Sequence, residues 1–188
     1  MEQKLFMLLL GCTPKGRLTE QHDVFFGIAP SLKDLVEEIN NFWPDAEGNV
    51  HIDVWREVSA INGHQVQVTS KNEPRSLYER NEKIFFINLG GYKQNDFEEY
   101  HYKMLVLAND KSEATNSAKK SAFYLHTGFE GAPSHIDDKY GVDVDDVYEI
   151  EDIIPKHMKA QYRIRVMATG SGIEDSFHIG YLKLSKIL

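Results

Sequence analysis

The chain has 188 residues, 41% hydrophobic and 27% charged, a globular composition that excludes disorder, a collagen-like repeat and a disulfide scaffold. Its 29 acidic and 21 basic residues leave a formal charge of −8, which disfavours a surface built to neutralise nucleic-acid phosphates or to dock on anionic lipid. A chain of this length buries about 70% of its unfolded surface, so its core needs neither metal nor disulfide to be sufficient.

Residues 5–10 are the first apolar run and lead into Leu9-Leu10-Gly11-Cys12. These four residues spell a lipid-attachment box, but Met1-Glu2-Gln3-Lys4 supplies no basic n-region and the run is shorter than the usual ~7–15 apolar residues. Residues 5–10 are therefore expected to form a buried strand. Cys12 is the single cysteine, which excludes an intramolecular disulfide and predicts a reducing compartment. No apolar run approaches the ~20 residues of a membrane span. Between Gly11 and Arg17, Lys15 and Arg17 give the loop some affinity for an anion, although the phosphate-loop pattern is missing.

Ser31, with Asp34 three residues on, predicts the N-cap of an amphipathic helix. Leu32, Leu35, Val36, Ile39, Phe42 and Trp43 are its apolar stripe, and Pro44 ends it. Residues 50–58 read as a strand. Asn62-Gly63 predicts a two-residue turn, with residues 64–69 returning as its partner to form a hairpin. Residues 70–82 are polar and broken by Pro74, which suits a linker.

The chain then repeats itself. Without a gap, residues 4–29 overlay residues 83–108. Lys4, Phe6, Leu10, Gly11, Glu20, His22 and Ala29 fall on Lys83, Phe85, Leu89, Gly90, Glu99, His101 and Ala108. A repeat of this length means a duplicated half-domain rather than a solenoid. A second helix is expected from Asp110 and Glu113 onward, with Ala114, Ala118 and Ala122 as a narrow stripe permitting close approach to a sheet or helix. Residues 142–150 and 162–167 are the expected strands after it, followed by a loop over 169–176 and a closing strand over 177–185. The fold class is therefore α+β: tandem ββαββ half-domains at 1–69 and 83–188, joined by 70–82, with a C-terminal closing strand.

The duplicated polar residues are the candidate site. Glu20-Gln21-His22 and Glu99-Tyr100-His101 each set Glu and His on one face of a strand. His51-Ile52-Asp53 and His135-Ile136-Asp137 form a second shared string, whose alignment would require five extra residues in the second half. Candidate ligand-binding residues are thus Glu20, His22, Glu99, His101, His51 and His135. Glu20, His22, Glu99 and His101 are the metal candidates, gathered where the halves meet. A structural role competes with this one, as does acid–base chemistry by His22 and His101. Cys12 paired with His22 is a weaker nucleophile candidate, since the second copy has Gly91 there. The acidic stretch 137–149 departs from the calcium-loop pattern and is expected to be an edge strand whose charges discourage pairing.

Leu10-Gly11-Cys12-Thr13-Pro14, Thr19-Glu20-Gln21-His22-Asp23-Val24-Phe25-Phe26-Gly27, Phe42-Trp43-Pro44 and His51-Ile52-Asp53 resemble the bacterial domain-of-unknown-function family 1543. So do Leu89-Gly90-Gly91-Tyr92, Phe97-Glu98-Glu99-Tyr100-His101-Tyr102-Lys103 and Ser134-His135-Ile136-Asp137. The resemblance implies a cytoplasmic bacterial protein and carries no assigned site or activity. The expected function is a non-enzymatic module binding a small molecule or a protein, with a homodimer among its forms and no cofactor evident. The alternative is a metal-binding or acid–base site built from the Glu-x-His pairs.

Overall fold

The computed structural model describes residues 1–92, 95, 97–127, 143–168 and 174–187, with the side chains of 92, 122–127 and 143 left aside. In chain order the strands and helices are β1 (Lys4–Cys12), β2 (Gln21–Ala29), α1 (Val36–Phe42), β3 (His51–Glu57), β4 (Ala60–Ile61) and β5 (His64–Ser70). They continue with β6 (Lys83–Tyr92), β7 (Glu99–Ala108), α2 (Lys111–Thr127), β8 (Asp143–Glu149), α3 (Ile150–Ile153), α4 (Lys156–Gln161), β9 (Tyr162–Ala168) and β10 (His178–Lys183). The repeated β-β-α-β order anticipated from the duplication is present in both halves. Two compact units result: Met1–Arg80 with Ile153–Leu188, and Asn81–Asp152.

In the first unit β1 lies between β2 and β3, and β10 closes the sheet beside β3. The expected buried strand at residues 5–10 is this inner strand, with Leu5, Leu8, Leu10 and Cys12 buried. Side chains alternate across it, and Leu8, Leu10 and Cys12 share the helix-bearing face. On that face, a Cβ at Gly27 of β2 would run into Leu35, which shows how closely the helical segment lies on the sheet. That segment starts as a 3-10 turn over Leu32–Leu35 before becoming α1. Ser31 holds the N-cap place but makes no side-chain cap; its hydroxyl donates to Asp34 Oδ2 at 2.7 Å instead. The cap expected at Asp110 does form, with Glu113 N–H donating to Asp110 Oδ1 at 2.8 Å.

The predicted Asn62-Gly63 turn has φ of 50° and 75°, the left-handed pair that a two-residue hairpin needs. The strand it joins to β5 is the short β4, not β3, whose neighbours are β1 and β10. β5 pairs along its whole length with β9, from His64↔Ala168 to Ser70↔Tyr162. Residues 162–167, expected in the second half, therefore belong with the first unit, as does the closing strand β10. The polar segment at 70–82 is clasped by that pairing. Arg163 Nη2 donates to the carbonyls of Lys71 and Glu73, and Arg165 Nη2 to that of Pro74, each at 2.6 Å.

The second unit's sheet has the order β7-β6-β8 and is built from that unit's strands alone. Phe85, Ile87, Leu89, Val106 and Ala108 form its core with Ala114 and Ala118 of α2. The small alanine side chains let α2 lie close on the sheet, as their spacing predicts. Burying each large apolar side chain contributes about 1.5–3 kcal/mol. β8 is an edge strand, as expected for 143–149; residues 137–142 and His135 lie outside the described residues.

Candidate metal centre

The repeat reappears as register. Gly11 of β1 stands opposite His22 of β2 on one side and His51 of β3 on the other. Gly90 of β6 stands opposite His101 of β7 and Asp143 of β8. Both central strands also slip register at the same place, between Leu9 and Leu10 and between Asn88 and Leu89. The skipped residue on the partner strand is Asp53 in one unit and Asp145 in the other. A bulge re-aims its side chain, and here each carboxylate comes over the glycine.

This register corrects the sequence alignment of the second string. The counterpart of His51-Ile52-Asp53 is Asp143-Val144-Asp145, not His135-Ile136-Asp137. The identical His-Ile-Asp spelling favoured the wrong pair, whereas strand pairing depends on the bulge and on the residue opposite the glycine. Spelling alone therefore does not single out Asp145, and both aspartates are reached only through their bulges. The usable signal is the Asp-x-Asp of 143–145, a pattern that a solvated edge strand shares.

The glycines make room for the cluster. A Cβ on Gly11 would collide with His51 Nε2 and come within 2.6 Å of Asp53 Oδ2; one on Gly90 would collide with the Asp145 carboxylate. Gly90 is the residue after the core residue Leu89, so strand alternation puts this cradle on the sheet face away from α2.

In the second unit, one ligand atom from each of Glu99, His101 and Asp145 lies within 4.8 Å of the others, and all three residues are exposed. His101 Nε2 is 3.4 Å from Asp145 Oδ2. In the first unit, His51 Nε2 is 3.0 Å from Glu20 Oε1 and 3.3 Å from Asp53 Oδ1. His22 Nε2 is 3.2 Å from Asp53 Oδ2 and 3.6 Å from Glu20 Oε2. His51 is only 5% exposed, its ring against Tyr181 with centroids 4.2 Å apart. Each unit therefore brings its Glu-x-His pair together with a bulge aspartate, and the first adds a second imidazole.

Cys12 does not fit a nucleophile's part. Its thiol is buried, and desolvation, with a smaller contribution from the Glu20 charge, pushes its pKa above the ordinary value. The Lys15–Arg17 loop borders an open depression of about 340 Å³ with Gln21 and Trp43 on its wall. Gln21 pairs with Cys12, one residue on from Gly11, so this depression opens on the other face of the sheet from the cluster.

The model of the family described as Domain of Unknown Function (DUF1543) matches residues 17–68, a span containing Glu20, His22, His51 and Asp53. No curated protein matches the chain. Among solved structures, one described as the crystal structure of a protein Il1583 from Idiomarina loihiensis is similar at a TM-score of 0.60 and 18% identity. The alignment covers 97% of this chain and 99% of that one. At that identity the likeness speaks for the fold. Among the described residues, no helix is long and apolar enough to cross a membrane.

Proposed function

We propose that the protein binds a divalent metal ion between Glu99, His101 and Asp145. The observation that carries this reading is the approach of three potential ligand atoms to within 4.8 Å of one another. Two carboxylates and one imidazole suit manganese, iron or zinc better than a soft ion. Three protein donors leave coordination positions open to water or to an oxygen donor of a small molecule, the arrangement found in reactive rather than purely structural sites. The small-ligand expectation thereby becomes a specific one: a ligand that completes the metal's coordination. A reducing, cytoplasmic setting is supported by the single, buried thiol.

Isothermal titration of the chelator-treated chain with manganese and with zinc tests this. A binding event present in the wild type and lost in both His101→Ala and Glu99→Gln is expected. Binding that survives both substitutions, or no binding of either metal, refutes it.

A further inference from the structure

We propose that the depression bordered by the Lys15–Arg17 loop binds a zwitterion of dipeptide size, its carboxylate held by Lys15 and Arg17 and its ammonium by Asp45 and Glu47. All four side chains line this one space, together with Gln21 and Trp43. The cations come from the loop between β1 and β2, the carboxylates from the turn that follows α1. Among the described residues, none of the four closes into an ion pair or a side-chain hydrogen bond, so each keeps its capacity for a ligand. A ligand with one kind of charge would satisfy one wall and be repelled by the other. A molecule with an anionic end and a cationic end satisfies both. Its charges must also stand apart, because the walls' own charged groups do not meet across the space. An α-amino acid carries both charges on a single carbon, whereas a dipeptide separates them by a further ~3.8 Å, the span of one peptide unit.

Both walls are set before any ligand arrives. Arg17 N–H donates to the Pro14 carbonyl at 3.1 Å, and Gly16 has φ of 81°, the glycine position of a type II turn. On the other wall, Ala46 N–H donates to the Trp43 carbonyl at 3.1 Å and Glu47 N–H to that of Pro44 at 3.0 Å. Ala46 is buried, which anchors that turn to the core. A preformed site loses little to ordering on binding. Trp43 is half-buried and offers its ring to the apolar part of a ligand, while the Gln21 amide supplies the donor and acceptor that a peptide group needs. The volume of about 340 Å³ falls within the ~300–1,000 Å³ of small-molecule sites. This inference does not depend on the metal reading, since the depression shares no residue with Glu99, His101 and Asp145.

The test is titration of the whole, chelator-treated chain with glycylglycine, glycyl-lysine and alanyl-phenylalanine, followed by the indole N–H signals in NMR. The chain has two tryptophans, so Trp43 and Trp55 give one signal each, and Trp43→Phe assigns them. A saturable shift of the Trp43 signal at millimolar dipeptide or below is expected, with the Trp55 signal unmoved. Acetylating the amine, or amidating the carboxylate, should each weaken binding by about tenfold or more, since each removes a charged hydrogen-bonding group. Arg17→Gln and Asp45→Asn, both at exposed positions, should also weaken it. The loss from amidation should shrink in Arg17→Gln and the loss from acetylation in Asp45→Asn. Circular dichroism checks the fold; if Asp45→Asn misfolds, Glu47→Gln takes its place. No Trp43 shift with any of the dipeptides, blocked dipeptides that bind as tightly as free ones, or binding unchanged in both variants would overturn the inference. So would a Trp43 shift that glycine or a mononucleotide produces at lower concentration, the first meaning a single amino acid and the second a stacked base. Failure of metal binding in the second unit leaves each of these outcomes unaffected.

Discussion

Gly90→Ala separates the geometry of the second-unit site from the stability of its fold. The added Cβ would overlap the Asp145 carboxylate, with Cγ and Oδ1 both at 2.9 Å, and no other group comes into its way as closely. The carboxylate is the far end of an exposed side chain and can swing aside, at about 0.5–1.5 kcal/mol if it leaves its preferred rotamer. Replacing glycine by alanine at a position without a positive φ returns roughly 0.4–1 kcal/mol by restricting the unfolded chain. The metal-free protein should therefore change stability by less than about 1 kcal/mol. Its metal affinity should not survive so well, because one of three donors has been displaced. Even loss of an outer partner of a metal ligand costs about 10–100-fold in affinity. At a metal concentration 100 times Kd, binding stabilises by about 2.7 kcal/mol, and a 100-fold weaker site leaves about 0.4 kcal/mol. At ~2–4 °C per kcal/mol for a chain of this size, the metal-induced rise in Tm should fall from about 5–11 °C to about 1–2 °C. The assay is a thermal melt with and without manganese. An undiminished rise in Gly90→Ala would refute the claim that this glycine exists to seat Asp145. A metal-free Tm lowered by many degrees would refute the claim that the carboxylate can yield.

Three further outcomes follow from the same geometry. Gly11→Ala should cost more in the metal-free state, about 1–3 kcal/mol by urea denaturation, because the colliding His51 ring is buried and cannot swing out. Cys12 has a raised pKa, so it stays protonated through neutral pH; alkylation at pH 7–8 should be far slower in the native protein than in denaturant, and equal rates would contradict the burial. Arg165→Met should destabilise by about 3 kcal/mol in urea denaturation, since it removes the donor to the Pro74 carbonyl and leaves the half-buried Glu79 without the cation 3.5 Å from its buried Oε2.

The sequence repeat was legible because both kinds of constraint left identities. Phe6 and Phe85, Leu10 and Leu89, and Ala29 and Ala108 are identical because each is buried in its unit. Lys4 and Lys83 are identical because each meets a glutamate at the far end of the adjacent strand β3 or β8, Glu57 at 2.8 Å and Glu149 at 2.7 Å. Gly11 with Gly90, Glu20 with Glu99 and His22 with His101 belong to the two polar clusters. Periodicity could find these because β1–β2 and β6–β7 are hairpins paired in constant register, where sequence offset and spatial offset agree. Beyond α1 and α2 that agreement ends, since the connections to β3 and β8 differ in length. A bulge then sets which aspartate arrives, and bulges leave no period in a sequence. The pairing of β5 with β9 across more than ninety residues was hidden for a related reason: both strands follow the pattern of any half-buried strand, and nothing local names the partner.

That same boundary locates the asymmetry between the sites. The part of each site inherited intact, Gly, Glu and His, lies on the constant-register hairpin; the part that varies lies on the third strand, where His51 opposes Gly11 but Asp143 opposes Gly90. One substitution at one register position therefore separates a cluster of two imidazoles and two carboxylates from one of a single imidazole and two carboxylates. His51→Asp would set a carboxylate in place of a buried ring, against Glu20 and Asp53, and should destabilise the chain by about 3 kcal/mol. Urea denaturation checks this; an unchanged midpoint would mean that His51 does not sit buried among those carboxylates.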